Sequence, residues 1–177
     1  MTVSRPIWLK EEMRWGRRRV RLSAGPADAV SVARLWGKSA HAVVFSGDSV
    51  LLVREAGGDW HFPGGRTDVG ETLGQALARE MGEEAGATLG PDPRIFAAVR
   101  VEFLDGPPPG PEGDPHTIYY VAGLESMTPE YLGDPALAEQ QIAERRLVPI
   151  EDAPSLLRSF NGRLLKEALA WRPHAPV

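Results

Sequence analysis

The segment from Glu71 to Ala87 constrains this chain most, because it reads as a helix that carries three glutamates on one side. Thr72 followed by Gln75 forms a capping-box pattern, and Gly86 suits the left-handed position that ends a helix. Glu80, Glu83 and Glu84 fall at i, i+3 and i+4, where like charges repel by about a few tenths of a kcal/mol per pair. Gly74 and Gly82 each cost the helix about 1 kcal/mol relative to alanine, so tertiary packing must hold it. Three carboxylates on a rigid support suit a hard cation such as magnesium, which completes its shell with water and substrate phosphates. Taken alone, the same three glutamates are better described as a solvated acidic face, and only their context favours a metal. The preceding turn, Phe62-Pro63-Gly64-Gly65, can bring backbone close to the carboxylates because glycine has no side chain.

The rest of the chain places this helix in a mixed architecture. Ala42–Phe45 and Val50–Val53, split by Ser46-Gly47-Asp48, predict a hairpin. Strands are expected over Ile95–Leu104, Thr117–Leu124 and Arg146–Ile150. A final helix places Leu156, Leu157, Phe160, Leu164, Leu165 and Ala168 on one broad face. Asp105–Pro115, with five prolines, marks an exposed loop. In residues 1–38 the least periodic sequence includes Arg17, Arg18 and Arg19, whose basic cluster suits a solvated surface or a strand with one basic face.

Composition narrows the function. The 177 residues fit one domain with a real core. The net charge of -4 argues against a broad nucleic-acid-binding surface, yet allows a small anionic substrate held by a metal ion and a few arginines. The absence of cysteine excludes disulfides, thiolate metal sites and cysteine nucleophiles. With neither a signal-peptide-like core nor a run of about 18 apolar residues, a cytoplasmic location without membrane contact is expected.

The stretch from Gly65 to Ala87 resembles the signature of the Nudix family: Gly, five residues, Glu, seven residues, Arg-Glu, an apolar residue, any residue, Glu-Glu, any residue, Gly, an apolar residue. Gly65, Glu71, Arg79, Glu80, Glu83, Glu84 and Gly86 fill every fixed position, with Met81 and Ala87 at the apolar ones. Trp60–Gly64 and Val50–Arg54 resemble the family's flanking strand and turn. The resemblance implies an α/β (α+β) fold, a Nudix-like mixed β-sheet sandwiched between α-helices. It makes residues 1–177 a single hydrolase domain, with 1–38 an N-terminal extension that adds to it or to a homodimer contact.

The implied activity is magnesium-dependent (manganese also suits) hydrolysis of a diphosphate linkage in a nucleoside diphosphate joined to another moiety. The resemblance assigns metal binding to Gly64 (through its carbonyl), Glu80, Glu83 and Glu84. Arg79 would hold the carboxylates in position and Glu71 would pair with it or cap the loop. A general base from a later loop falls to Glu139, with Glu144 the weaker candidate and Glu83 the fallback within the motif. Arg54, Arg66 and His116 are the candidate substrate contacts. For Arg54 the alternative is a surface ion pair with Glu55 or Asp59, for Arg66 a solvated loop position, and for His116 a strand edge. His41 and His61 are expected to be packed and hydrogen-bonded, Trp36 and Trp60 to serve packing, and one of Tyr119 and Tyr120 to be core while the other faces a ligand. An isomerase of the isopentenyl diphosphate type, which relies on a catalytic cysteine, is excluded by composition. A non-catalytic ligand sensor is the alternative to the hydrolase.

Overall fold

Nine strands, from both ends of the described chain, meet in one mixed sheet with the order β1-β2-β7-β8-β3-β4-β9; β5 pairs with β3 and β6 with β8. The computed structural model describes residues 7–35, 38–108, 115–129 and 142–173. The strands are β1 (Leu9–Trp15), β2 (Arg18–Pro26), β3 (Lys38–Ser46), β4 (Ser49–Glu55), β5 (Gly64–Arg66), β6 (Ala87–Leu89), β7 (Arg94–Phe103), β8 (His116–Met127) and β9 (Ile142–Pro149). The helices are α1 (Ala29–Val32), α2 (Leu73–Ala85), α3 (Ala153–Leu156) and α4 (Ser159–Ala168). Trp36, Glu139 and residues 109–114 of the proline-rich loop lie outside the described residues.

The alternation of side chains along each strand divides the core in two. Ala40, Ala42, Val44, Leu51, Val53, Ile118 and Tyr120 pack against Ala76, Leu77, Met81 and Ala85 of α2. Val43, Phe45, Leu52, Tyr119 and Val121 face the other way, against Phe160, Leu164, Leu165 and Ala168 of α4. The sheet therefore lies between helices, as the α+β reading expects. Tyr119 and Tyr120 point to opposite faces and both are buried.

A wedge in this sheet positions the site. β3 pairs in parallel with β8 along its length, but antiparallel with β4 only at Phe45↔Val50 and Ser46↔Ser49. Beyond that the two strands diverge, and β5 enters beside β3 with the register Ser39↔Arg66, Ala40↔Gly65 and His41↔Gly64. Gly64 has φ +138, and a Cβ there would stand 2.2 Å from the Ala40 carbonyl oxygen, so only glycine fits.

Two features depart from the sequence expectation, the added hairpin strand and the broken C-terminal helix. The strand with one basic face is met in β2, where Arg19 and Arg21 alternate with Val20 and Leu22. Residues 9–26 form the β1–β2 hairpin, which continues the sheet through β2–β7 pairing. The basic cluster there is largely internally paired: Arg18 with Asp105, Arg19 with Glu12, and Arg21 with both Glu12 and Glu102. The C-terminal helix is broken in two, because Leu157 turns extended and bridges Trp60.

Candidate active site

The site begins with how α2 is fastened. Thr72 accepts from the Gln75 N–H while the Gln75 side chain accepts from the Thr72 N–H, the complete capping box, and Gly86 closes the helix at φ 55. Arg79 then projects one guanidinium into the middle of the acidic cluster. Its Nε donates to Glu71 Oε1 at 3.0 Å and its Nη2 to Glu71 Oε2 at 3.0 Å, a bidentate pair. Its Nη1 donates to Glu80 Oε1 and to Glu83 Oε2, each at 3.0 Å. Nη2 also reaches the Arg66 carbonyl at 2.9 Å, tying α2 to β5. The Arg79 hydrogen bonds hold the Glu71 carboxyl below its usual range, and Arg79 itself is held firmly charged by these partners.

Two carboxylates are set against consecutive residues of one turn. Glu84 Oε2 accepts the Gly64 N–H at 2.7 Å. A Cβ on Gly65 would lie 2.1 Å from Glu80 Oε1, so the missing side chain is what admits that carboxylate. Burial pushes the Glu84 carboxyl up to about 7, with the charges of Glu80 and Glu55 adding to the rise; the Gly64 N–H and the charge of His61 oppose it.

Beside Glu84 stands a pair the sequence did not point to. His61 Nε2 lies 3.2 Å from Glu55 Oε2, and its Nδ1 lies 3.1 Å from the Phe62 carbonyl. Burial works against charge on this ring, but the Glu55 carboxylate and the Phe62 carbonyl outweigh it, and His61 titrates above its ordinary value. Glu55 and His61 are six residues apart across a glycine turn, a spacing with no motif, so only the Val53↔His61 bridge brings them together. His41, by contrast, meets the Phe62 carbonyl at 3.3 Å, and burial pushes it down to about 4.

Magnesium, the ion the motif implies, can be tested against these groups. Among the described residues no three acidic or imidazole groups already converge as a closed metal cage. Glu80 and Glu83 turn to Arg79, and Glu84 turns to Gly64. The donors are nonetheless all hard oxygens, and the cradle at Gly65 sets Glu80 beside the turn that holds Glu84. That arrangement fits an ion that binds through one or two carboxylates and keeps several waters. Glu84, raised by burial and by Glu80, is the group such a cation would most relieve.

On the α4 side of the sheet, the turn of Gly64, Gly65 and Arg66 forms one wall of a cavity of about 600 Å³. Its other walls include Val99, Val101 and Tyr119 of the sheet, Phe160 and Asn161 of α4, and the tip of the β1–β2 hairpin.

A model of the family described as NUDIX domain matches residues 36–168. The chain belongs to the Nudix family. Its Nudix box is the Gly65–Ala87 segment around Arg79. Among curated proteins it is similar to the human (Homo sapiens) 8-oxo-dGDP phosphatase NUDT18, 40% identical in a 73-residue alignment that covers 36% of this chain and 23% of that protein. The match thus spans under a quarter of the relative's length. Among solved structures, the pyrophosphohydrolase BsRppH of Bacillus subtilis aligns with a TM-score of 0.60 at 17% identity, covering 91% of this chain and 97% of that one. A Nudix hydrolase from Nitrosomonas europaea aligns with a TM-score of 0.58 at 18% identity, covering 78% of this chain and 91% of that one. At these identities the structural likeness speaks for the Nudix fold, a curled mixed sheet with few helices.

The candidates outside the box are dispersed. Arg66 is exposed and lines the cavity beside the box. Arg54 pairs with neither Glu55 nor Asp59; its Nη2 meets Glu144 Oε2 at 2.6 Å and its guanidinium lies 4.8 Å from the centre of the Trp60 ring. Glu55 is taken by His61, and Asp59 pairs with Arg158. Glu144 also binds Arg146 at 2.6 Å, and Arg146 shares the Trp60 ring. Trp60 is buried, in keeping with a packing role. His116 opens β8 opposite Arg100 and Lys38. Among the described residues no helix is long and apolar enough to cross a membrane.

Proposed function

We propose that this Nudix domain is a divalent-metal-dependent hydrolase, served by magnesium or manganese, that cleaves a diphosphate linkage in a nucleoside diphosphate joined to another moiety. The observation that carries the reading is the Arg79 network: one guanidinium holds Glu71, Glu80 and Glu83 while the Gly64–Gly65 turn holds Glu84 and borders the cavity. A carboxylate set maintained this completely, fastened to a turn that borders a cavity sized for a small ligand, supports catalysis over a non-catalytic sensor.

Glu80, Glu83 and Glu84 would hold the metal, with the Gly64 carbonyl as a further donor. The chemistry that such an ion supplies is neutralisation of diphosphate charge and activation of a water. The protein's own residues do the positioning. Arg79 keeps Glu80 and Glu83 oriented, and Glu71 keeps Arg79 in place. Arg66, at the cavity wall beside the box, is the arginine best placed for a phosphate oxygen. Arg54 reaches phosphate only by leaving Glu144. Glu139 is the proposed general base, accepting a proton from the attacking water.

The related human protein is named for 8-oxo-dGDP, so nucleoside diphosphates, modified and unmodified, come first in a substrate panel. The deciding experiment incubates the protein and its Glu84→Gln variant with that panel, nucleotide sugars and ADP-ribose, with magnesium or with EDTA, and identifies the products. Metal-dependent release of a phosphate-bearing fragment, lost in Glu84→Gln, is expected. Tight nucleotide binding with no turnover of any panel member would favour the sensor and overturn the hydrolase.

A further inference from the structure

The β1–β2 hairpin lies outside the segment that the family model matches, yet its tip is part of the cavity wall. In an antiparallel pair, residues directly opposite share a face, so Met13↔Val20, Trp15↔Arg18, Glu11↔Leu22 and Leu9↔Ala24 all point the same way. That way is toward α4: Leu9 and Ala24 join the core that contains Phe160, and Glu11 accepts from Ser159 at 3.1 Å and from Arg163 at 2.6 Å. Trp15 therefore projects over the same face as the cavity, where Met13 and Leu22 also line it. Its position is set by a two-residue turn with Gly16 at φ +59 in the first central place and Arg17 at negative φ, the II′ pattern that matches strand twist. Trp15 remains 55% exposed, a large flat apolar surface at the mouth of an otherwise part-apolar cavity.

The cavity thus has two unlike ends. One is the Gly64–Arg66 turn, which carries Arg66 and against which Glu84 and Glu80 of α2 are set, and the other is the aromatic hairpin tip. Resting on the hydrolase reading above, we propose that Trp15 is a specificity residue that stacks on the nucleobase of a nucleoside diphosphate whose phosphates lie at the box. An indole offers a rigid, amphipathic stacking surface that loses little conformational freedom on binding. Polar groups of Ser39, Thr117 and Asn161 line the same cavity and can meet the edge of a base.

The test titrates wild type, Trp15→Ala and Trp15→Phe, in magnesium, with two ligands that cannot be hydrolysed: α,β-methylene-dGDP, which has a base, and methylenediphosphonate, which has none. Wild type is expected to prefer the base-bearing ligand. Trp15→Ala is expected to weaken that ligand by about tenfold or more, the range of base–aromatic stacking, and to leave methylenediphosphonate unchanged. Trp15→Phe is expected to restore most of the affinity. Equal binding of α,β-methylene-dGDP by wild type and Trp15→Ala, equal weakening of both ligands, or no preference for a base in wild type would overturn the proposal. A wild type that binds the analogue in this pattern but hydrolyses no member of the substrate panel would sink the hydrolase reading and leave the stacking role standing.

Discussion

The Gly64 N–H donates to Glu84 Oε2 at 2.7 Å, while a Cβ on Gly64 would press on the Ala40 carbonyl oxygen at 2.2 Å. The same residue is thus locked to β3 on one side and holds a box carboxylate on the other. Gly65 is its counterpart for Glu80, but there the clash would be with the end of a side chain and not with backbone. The two glycines should therefore respond differently to alanine. Gly64→Ala must force a positive φ and a backbone clash, and a loss of several degrees in Tm is expected. Gly65→Ala should melt close to wild type, because Glu80 can swing away, yet lose turnover by orders of magnitude. Melting curves and magnesium-dependent rates measured on both variants check this. Normal turnover in a folded Gly65→Ala would contradict the assigned place of Glu80.

Arg79→Lys should separate positioning from ligation. Lysine cannot span Glu71, Glu80, Glu83 and the Arg66 carbonyl at once, since it lacks the planar fork. The expected outcome is about 10–100-fold weaker apparent metal affinity, the usual scale for losing a group that orients ligands, together with reduced turnover. Metal titrations of the rate check it. An unchanged metal dependence would place Arg79 outside the site.

Stability against pH carries opposite signatures from two groups. Glu84 at about 7 holds its proton more tightly folded than unfolded, where it titrates near 4.5. Its contribution in EDTA is thus full below about 4.5 and is lost as pH rises through about 7. His41, at about 4, is harder to protonate folded than unfolded, so its contribution is full above about 6.5 and is lost as pH falls toward 4. The His41 effect is at most about 3 kcal/mol and less in practice, since the ring borders the cavity. Between about 4.5 and 6.5 the two oppose each other, so the readout is the difference between wild type and Glu84→Gln. In EDTA that variant should gain on wild type as pH rises through 7. Magnesium should stabilise wild type more at pH 8 than at pH 5.5, because below about 7 it must displace a proton. A Tm difference independent of pH would show that Glu84 is not the titrating group.

How far the sequence reached follows the range of the interactions. The capping box of Thr72 and Gln75, the Gly86 stop and the β3–β4 hairpin are local, so residue spacing alone exposed them. The Arg79–Glu71 pair joins residues eight apart and came only through the family motif. Of the hairpin of residues 9–26 only the basic strand was legible; its pairing stayed hidden because charged residues stand on both of its faces and its partner β7 lies about 80 residues away. The same holds for Arg54, whose expected neighbours Glu55 and Asp59 yield to Glu144, which β4–β9 pairing sets directly opposite it. The parallel β3–β8 pairing and the three-residue strands β5 and β6 leave too little pattern to read.

The general base is tested by a pair of variants. Glu144 is spoken for: Arg54 and Arg146 both bind it at 2.6 Å, and these hydrogen bonds, Arg54's first, hold its carboxyl below the usual range. A carboxylate held that acidic and engaged by two guanidiniums is a poor proton acceptor near neutral pH. Glu144→Gln should accordingly keep kcat within about threefold of wild type, any effect arising from Arg54 and Arg146 being released above Trp60. Glu139→Gln should instead depress kcat on the order of 10²-fold or more, the range of general base catalysis. Its deficit should shrink as pH rises and hydroxide becomes available, while apparent magnesium affinity stays near wild type, which separates a base from a ligand. Rate profiles from pH 6 to 10 on both variants decide the matter. A crippled Glu144→Gln beside an active Glu139→Gln would reverse the assignment, and two active variants would move the base to Glu83 within the box.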